Sequence, residues 1–169
     1  FNNVAVAAAA LRAECAVDRV LIVDWDVHHG NGTQHIFEED PTVFYYSSHQ
    51  MPLYPGTGYA KERGKGPGVG TTLNVPLRTG DGDERFLAGL TEALVPAMEE
   101  FRPEFVLVSA GFDAHRADPL GGLRVSTEAF ADATRIVRGI ADRFASGRIV
   151  STLEGGYDLE ALAASTAIH

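Results

Sequence analysis

The chain has 169 residues, 45% of them apolar, which is enough to bury the core of one domain over residues 1–169. Its 14 lysines and arginines against 23 aspartates and glutamates give a formal net charge of −9, which argues against a phosphate-binding surface for nucleic acid. No apolar run approaches the roughly 20 residues of a membrane span, and no signal-like stretch appears, so we expect a cytoplasmic or otherwise intracellular protein.

The amino-terminal end runs without a preceding strand or cap into a helix-like stretch from Val4 to Glu14. We therefore expect the amino-terminal part of the fold to be missing from these residues. Cys15 follows, and as the only cysteine it cannot form an internal disulfide. We expect it to be a small core residue.

Short apolar, β-branched runs recur along the chain and predict five strands. They are Val20–Asp24, Val43–Ser47, Thr72–Leu77, Phe105–Ser109 and Arg148–Leu153. Runs this apolar are typical of parallel strands buried on both faces. Because amphipathic stretches separate them, the pattern predicts an α/β fold with three layers, a mainly parallel sheet covered by helices on both faces.

Three further stretches have helical patterns. Asp83 to Phe101 begins with acidic residues and contains Pro96, where we expect a kink. Ser126 to Phe144 has capping residues at its start and a buried stripe of Phe130, Ile136, Val137 and Ile140. Asp158 to Ile168 is predicted to be a terminal helix.

The segment from Pro52 to Gly70 contains six glycines and three prolines and is predicted to be a long loop. Long loops in compact domains are often functional. This one is not a nucleotide-binding loop, because Gly64-Lys65-Gly66-Pro67 lacks the following serine or threonine and Pro67 removes an amide.

Asp24, Asp26 and His28 follow the first predicted strand at alternate positions. Alternate side chains of an extended chain point the same way, so two carboxylates and an imidazole would crowd together. Crowded like charges favour a bound cation. The alternative is that these residues cap a helix or fill a turn.

Asp113 stands just past the fourth predicted strand. Open parallel sheets bind ligands at the carboxyl ends of their strands, so Asp113 can converge on Asp26 and His28. Three protein ligands with one open position are typical of a catalytic zinc. The oxygen-rich set would also accept iron or manganese.

Tyr157 follows Gly155 and Gly156 after the fifth predicted strand. The two glycines give the backbone freedom to place the phenol over a site, where it can donate a hydrogen bond to a developing oxyanion. The alternative is a glycine turn with an incidental tyrosine.

The segment from Asp24 to Gln34, Asp-Trp-Asp-Val-His-His-Gly-Asn-Gly-Thr-Gln, resembles the metal motif of the class II histone deacetylases. Three other segments resemble the same family in the same order. They are Tyr54–Gly58, Ser109–Asp113 with Asp118–Gly122, and Leu153–Asp158. The resemblance implies the arginase/deacetylase-like fold.

By this resemblance, Asp26, His28 and Asp113 bind zinc, and Tyr157 polarises the acetyl carbonyl. The reaction implied is hydrolysis of the acetyl amide of acetyl-lysine, in histones or other proteins, or alternatively of a small acetylated amine of the acetylpolyamine type. Tyr54 and Leu120 match positions that wall the substrate tunnel. Further matches are a potassium site, with Asp24, Asp26, His28, Ser47 and Ser48, and two positions just outside the metal ligands, Asp24 and His49.

The chain also departs from the family pattern. The family's general base is a tandem histidine pair in a segment before the position of Phe1, and the only pair here, His28-His29, is committed to the metal through His28. His29 is expected to be structural. We therefore expect the isolated chain to be a catalytically impaired metal-binding fragment.

Two alternatives concern substrate and metal count. Polyamine-selecting relatives tend to carry an acidic residue at the position of Leu120, so the leucine favours lysine side chains. Binuclear manganese ureohydrolases resemble the fold but carry aspartates where this chain has Asn31 and Gly111. One metal is therefore expected.

Overall fold

A five-stranded parallel sheet forms the centre of the computed structural model, which describes residues 1–169. The strands are β1 Val20–Asp24, β2 Val43–Gln50, β3 Thr72–Leu77, β4 Phe105–Ala110 and β5 Ile149–Leu153. Their spatial order is β3-β2-β1-β4-β5, so β1 lies at the centre. The predicted parallel α/β architecture is confirmed, with strand bounds within a few residues of those expected.

Six α-helices connect or flank the strands. They are α1 Asn3–Glu14, α2 Asn31–Phe37, α3 Asp83–Ala88, α4 Val95–Phe101, α5 Thr127–Phe144 and α6 Leu159–Ile168. The predicted loop from residue 52 to 70 contains one short 3-10 turn, Gly66–Gly68. Helix α2 was not predicted from the sequence. It has seven residues and no side-chain cap, so its local pattern is weak.

The helix expected from Asp83 to Phe101 is divided in the structure. A π-helical turn, Gly89–Leu94, separates α3 from α4. Pro96 lies in the first turn of α4. Because proline has no amide hydrogen, the regular hydrogen-bond ladder cannot continue through it, and the wider turn before it accommodates the interruption. The irregularity therefore precedes Pro96.

Alternate residues of β1 point into two different cores. Leu21 and Val23 belong to a cluster of 26 buried residues that also contains Phe130. Val20 and Ile22 belong to a cluster of 10 on the opposite face, where α1 packs. Burial of both faces confirms the three layers and explains why β1 is apolar throughout.

Helix α5 covers the larger cluster as its sequence predicts. The Ser126 hydroxyl caps its start by accepting a hydrogen bond from the Ala129 amide at 3.2 Å. Phe130, Val137 and Ile140 are buried, and Ile136 is partly buried. Cap and stripe together pack the helix against the larger cluster.

Two expectations about burial were wrong. Cys15 is exposed, because it follows the end of α1 instead of pointing into the sheet. Strand β5 is not buried on both faces: Val150 is 51% exposed and Leu153 is 56% exposed. The reason is its place at the edge of the sheet, where it pairs only with β4.

None of the helices is long and apolar enough to span a membrane.

Candidate metal centre

The carboxyl ends of the three central strands lie side by side. Asp24, the last residue of β1, is level with Ser47 on β2 and with Ser109 on β4. Segments that leave these strands therefore begin at a common edge. This register brings together polar residues that are far apart in the sequence.

Two hydrogen bonds from backbone amides to aspartate side chains shape the segment after β1. The Asp24 carboxylate accepts a hydrogen bond from the Asp26 amide at 3.1 Å, and the Asp26 carboxylate accepts one from the His28 amide at 2.9 Å. The Val27 amide, between them, donates to Oδ1 of Asp113 at 2.8 Å. This last bond attaches the segment after β1 to the segment after β4.

The result is a compact group of three possible metal ligands. One ligand atom from each of Asp26, His28 and Asp113 lies within 4.8 Å of the others. Nδ1 of His28 is 3.1 Å from Oδ1 of Asp26 and 3.3 Å from Oδ2 of Asp113. We call Asp26, His28 and Asp113 the metal triad.

Asp113 shows that this group suits a cation. Its side chain is fully buried, and its Oδ2 has no hydrogen-bond partner. Burial, followed by the nearby Asp26 carboxylate, raises the pKa of Asp113 to about 7. A buried, unpartnered carboxylate oxygen beside a second carboxylate is strongly unfavourable without a cation or a proton. Two carboxylates and one imidazole match the ligand types of zinc.

Gly111 bears on how many metal ions the site can hold. A Cβ at this position would lie 2.5 Å from both the Cα and Oδ2 of Asp26. The backbone thus leaves no space for another carboxylate at residue 111. Asn31, the other position considered for a second metal, begins α2.

Asp24 lies behind the triad. It is 4% exposed, and its Oδ2 accepts a 2.9 Å hydrogen bond from the Tyr45 hydroxyl. Burial and the Asp26 charge raise its pKa. The adjacent Ser47 and Ser48 are buried. The structure therefore brings together the residues expected to bind potassium, and that role stays a prediction.

The glycine turn before Tyr157 lies against the triad. The Gly155 amide donates to Oδ2 of Asp26 at 2.9 Å, and the Gly155 carbonyl accepts from the Phe112 amide at 2.7 Å. A Cβ on Gly155 would lie 2.1 Å from Oδ2 of Asp113, so only glycine fits. Gly156 has φ +145°, which also favours glycine.

Tyr157 itself is half-exposed. Its amide donates to Oδ2 of Asp118 at 2.8 Å. Burial, followed by the charges of Asp113, Asp26 and Asp118, raises the pKa of its phenol. The hydroxyl is therefore protonated at neutral pH and can donate a hydrogen bond.

The expected tunnel residues are open to solvent. Tyr54 is 79% exposed and Leu120 is 54% exposed. The Leu120 amide donates to Oδ1 of Asp118 at 2.9 Å, which places Leu120 on the segment linked to Tyr157. Their role in binding a substrate stem stays a prediction.

His29 and His49 attach the long loop to the sheet. The His29 ring pairs with Thr57 at 2.8 Å, and the His49 ring pairs with the Gly58 carbonyl at 2.9 Å. The two rings lie 4.7 Å apart. Burial lowers the pKa of both, that of His49 to about 4, so both are neutral at pH 7. His49 makes no hydrogen bond to the metal triad.

The sequence pattern assigned no role to two acidic residues of this region. Glu154 accepts a 3.1 Å hydrogen bond from Ser109 and borders a cavity of about 390 Å³ with Asp24, Asp26 and His28. Asp118 binds the Tyr157 and Leu120 amides. Both lie in the motifs quoted above, but Ser109 is 45 positions from Glu154 and Tyr157 is 39 positions from Asp118.

The histone deacetylase domain matches residues 1–169. Histone deacetylase 10, chloroplastic, of Oryza sativa subsp. japonica is 47% identical over 167 residues, which are 99% of this chain and 38% of that protein. Polyamine deacetylase HDAC10 of Homo sapiens is 43% identical over 98% of this chain and 25% of that protein.

A solved structure, that of the histone deacetylase Clr3, matches with a TM-score of 0.92 and 41% identity. The match covers 99% of this chain and 29% of the Clr3 chain. The chain thus spans less than half the length of these relatives.

Proposed function

Because the chain belongs to the histone deacetylase family, we propose that it supplies the metal-binding half of a zinc-dependent amidohydrolase that deacetylates acetyl-lysine. The observation that carries the proposal is the metal triad, whose ligand atoms lie within 4.8 Å of one another beside the Tyr157 turn. In the proposed reaction water adds to the acetyl carbon and the amide C–N bond breaks, which releases acetate and the free amine.

Asp26, His28 and Asp113 would hold the zinc. A bound zinc ion supplies Lewis-acid activation of water and of the acetyl carbonyl. Asp24 accepts the Asp26 amide and so orients the carboxylate beside it. Potassium is a further proposed ion, bound near Asp24 and the buried Ser47 and Ser48.

Tyr157 would stabilise the charge that develops on the acetyl oxygen. Its hydroxyl is protonated at neutral pH and is fixed through the backbone near the triad. Donors aimed at a developing oxyanion typically contribute about 10²- to 10³-fold in rate. The half-exposed ring leaves one side open to a substrate.

We propose acetyl-lysine rather than a polyamine as the preferred substrate. The apolar, partly exposed Leu120 suits the methylene stem of a lysine and offers no charge to a secondary ammonium. The polyamine alternative is supported by the 43% identity to a human polyamine deacetylase. Measuring kcat/KM for an acetyl-lysine peptide and an acetylated polyamine decides between them.

The direct test combines metal content with turnover. We expect about one zinc per chain and, in the full-length protein, zinc-dependent release of acetate from an acetyl-lysine peptide. Chelation should abolish turnover, and added zinc should restore it. A zinc-loaded full-length protein that leaves both acetyl-lysine and acetylated polyamine intact would refute the proposed function.

We further propose that the isolated 169-residue chain hydrolyses the peptide slowly. Its only adjacent histidines are His28 and His29, and His29 is buried and bound to Thr57 and Gln34. Neither is available as the general base that the family resemblance implies. Turnover by the isolated chain comparable to that of a longer protein would contradict this.

A further inference from the structure

We propose that Asp118 is a positioning residue: it holds the Tyr157 backbone in place beside the metal triad, and through Tyr157 it sets the turnover number. This inference rests on the proposed function for its effect on rate. Its structural part concerns only the contact between two residues. Asp118 lies five positions after the triad residue Asp113, in the segment that follows β4.

The Asp118 carboxylate joins two segments of the chain. Oδ2 accepts the Tyr157 amide at 2.8 Å, across 39 positions of sequence. Oδ1 accepts the Leu120 amide at 2.9 Å and the Gly121 amide at 3.3 Å. Asp118 is 8% exposed, so little solvent competes for these bonds. Bonds from amides to an ionised carboxylate are stronger than those between neutral groups.

The Tyr157 backbone depends on this contact because its neighbours are fixed separately. On one side, Gly155 is bound to Asp26 and Phe112. On the other, Asp158 caps α6 by accepting the Ala161 amide at 2.8 Å. Gly156, between Gly155 and Tyr157, has no side chain to restrict its backbone torsion angles. The bond to Asp118 is the one that fixes residue 157 itself.

Side-chain packing alone does not hold Tyr157 in place. Tyr157 is 52% exposed, so neighbouring side chains constrain its ring only in part. A misplacement of about 1 Å at a reacting group can cost on the order of 100-fold in rate. A loose backbone at Tyr157 would therefore reduce turnover more than substrate binding.

The chemistry of the contact requires two acceptor oxygens. The amides that point at Asp118 are all donors. Asparagine has one acceptor oxygen and a donating amide of almost the same size. In Asp118→Asn the single acceptor oxygen is expected to face the two amides of Leu120 and Gly121, so the Tyr157 amide loses its acceptor while the volume of the side chain is kept.

The kinetic experiment is a double-mutant cycle with Asp118→Asn and Tyr157→Phe in the zinc-loaded full-length protein. We expect Asp118→Asn to lower kcat for an acetyl-lysine peptide by at least about tenfold with KM within about threefold. In the Tyr157→Phe background the same change should lower kcat less than about twofold. The proposal would be overturned if Asp118→Asn lowers kcat equally with Tyr157 and with Tyr157→Phe, or if it does not lower kcat when Tyr157 is present.

Asp81→Asn is the matched control. The Asp81 carboxylate also accepts a backbone amide, that of Arg78 at 2.7 Å, but makes no hydrogen bond to Tyr157. We expect kcat to change less than about twofold in either background. If Asp81→Asn lowers kcat as much as Asp118→Asn does, the effect is common to carboxylates that accept a backbone amide. That result would overturn the positioning role of Asp118.

A spectroscopic readout separates this inference from the proposed function. The protein is labelled with 3-fluorotyrosine and its fluorine NMR spectrum is recorded. The resonance that disappears in Tyr157→Phe is assigned to Tyr157. We expect Asp118→Asn to shift or broaden that resonance and to leave those of the buried Tyr45 and Tyr46 unchanged. An unchanged Tyr157 resonance would overturn the proposal even if the protein is active. A further outcome is that the protein is inactive on acetylated substrates while Asp118→Asn still shifts or broadens the Tyr157 resonance. That result would support the contact between Asp118 and Tyr157 and refute only the proposed function.

A second variant covers the case in which Asp118→Asn fails to fold. Replacing Tyr157 by its α-hydroxy acid analogue turns the amide N–H into an ester oxygen and leaves Asp118 and the Leu120 contact intact. We expect the same loss of kcat with zinc content unchanged. Full activity of this ester variant would refute the proposed role.

Discussion

The Gly155 amide donates a 2.9 Å hydrogen bond to Oδ2 of Asp26, although 129 positions separate the two residues. The bond attaches the turn that carries Tyr157 to a proposed metal ligand. It also brings the Gly155 Cα so close to Asp113 that a Cβ would lie 2.1 Å from Oδ2 of that residue. Metal site and tyrosine turn therefore form one packed unit.

Removing a ligand should remove the metal. We expect Asp26→Ala and Asp113→Ala each to abolish stoichiometric zinc, because each removes one of three protein ligands. Zinc content is measured by elemental analysis after dialysis. Asp132→Ala, a change at a partly exposed carboxylate of α5 away from the metal triad, is the control and should keep zinc. Zinc retained in both ligand variants would refute the ligand assignment.

Tyr157→Phe should separate metal binding from catalysis. The phenol is not among the proposed ligands, so zinc should remain stoichiometric. Turnover of an acetyl-lysine peptide should fall by about 10²- to 10³-fold, because the hydrogen bond to the developing oxyanion is lost. Near-normal turnover by this variant would exclude the proposed role of the hydroxyl.

Gly155→Ala should damage the metal site through its backbone. The added methyl group would meet Asp113 and Asp26, and the carboxylates must move. Displacing groups that orient metal ligands typically costs about 10- to 100-fold in metal affinity. Zinc affinity is measured by competition with a chelator.

Gly139→Ala is the matched control for that change. Gly139 lies inside α5, where a Cβ would have open space. Alanine there should stabilise the helix by about 0.5–1 kcal/mol, measured by denaturant unfolding, with zinc affinity unchanged. If Gly155→Ala binds zinc as tightly as Gly139→Ala, the packed unit described above does not control the metal site.

Zinc binding should weaken as the pH falls. Burial and the Asp26 charge raise the pKa of Asp113 to about 7 in the metal-free protein, and a carboxylate must lose its proton to bind metal. Below about pH 7 the proton therefore competes with zinc, and above it the competition disappears.

Carbon-13 NMR of the carboxyl groups checks this directly. The Asp113 carboxyl resonance is assigned by its absence in Asp113→Asn. It should titrate near pH 7 without metal and should stop titrating there once zinc is bound. Titration of the metal-free carboxyl near the ordinary aspartate value of about 4 would contradict the expectation.

Leu120→Glu should move substrate preference towards polyamines. A carboxylate at this position would attract the secondary ammonium of an acetylated polyamine. Because Leu120 is 54% exposed, the gain is that of a surface pair, at most about 1 kcal/mol or about fivefold in relative kcat/KM. Leu120→Gln, which lacks the charge, should show no such gain. An equal shift in both variants would exclude an electrostatic cause.

Local sequence patterns determined the strands and most of the helices. The run Val20–Asp24 is apolar and β-branched, and Ser126 supplies a cap directly before the stripe of α5. Such signals act over a few residues, so they can be read without knowing what packs against them. Where a local signal was weak, as in α2, or interrupted, as before Pro96, the prediction was incomplete.

Motif chemistry also indicated the site. Polar residues directly after apolar strands predicted that Asp26, His28 and Asp113 would meet, and the structure brings them within 4.8 Å. That step succeeded because parallel strands carry their carboxyl ends to one edge of the sheet. The identity of the bound metal stays a prediction.

Only the tertiary structure decided which neighbours each residue has. The order β3-β2-β1-β4-β5 places β5 at the edge, and this exposes Val150 and Leu153 despite their apolar character. The Asp118 to Tyr157 bond and the ring contact of His29 with His49 depend on chain segments far apart in sequence. The amino-acid sequence by itself thus determined the elements and the chemical type of the site, because propensity and motif are local. Burial and hydrogen-bond partners required the packed fold, because they depend on strand order and register.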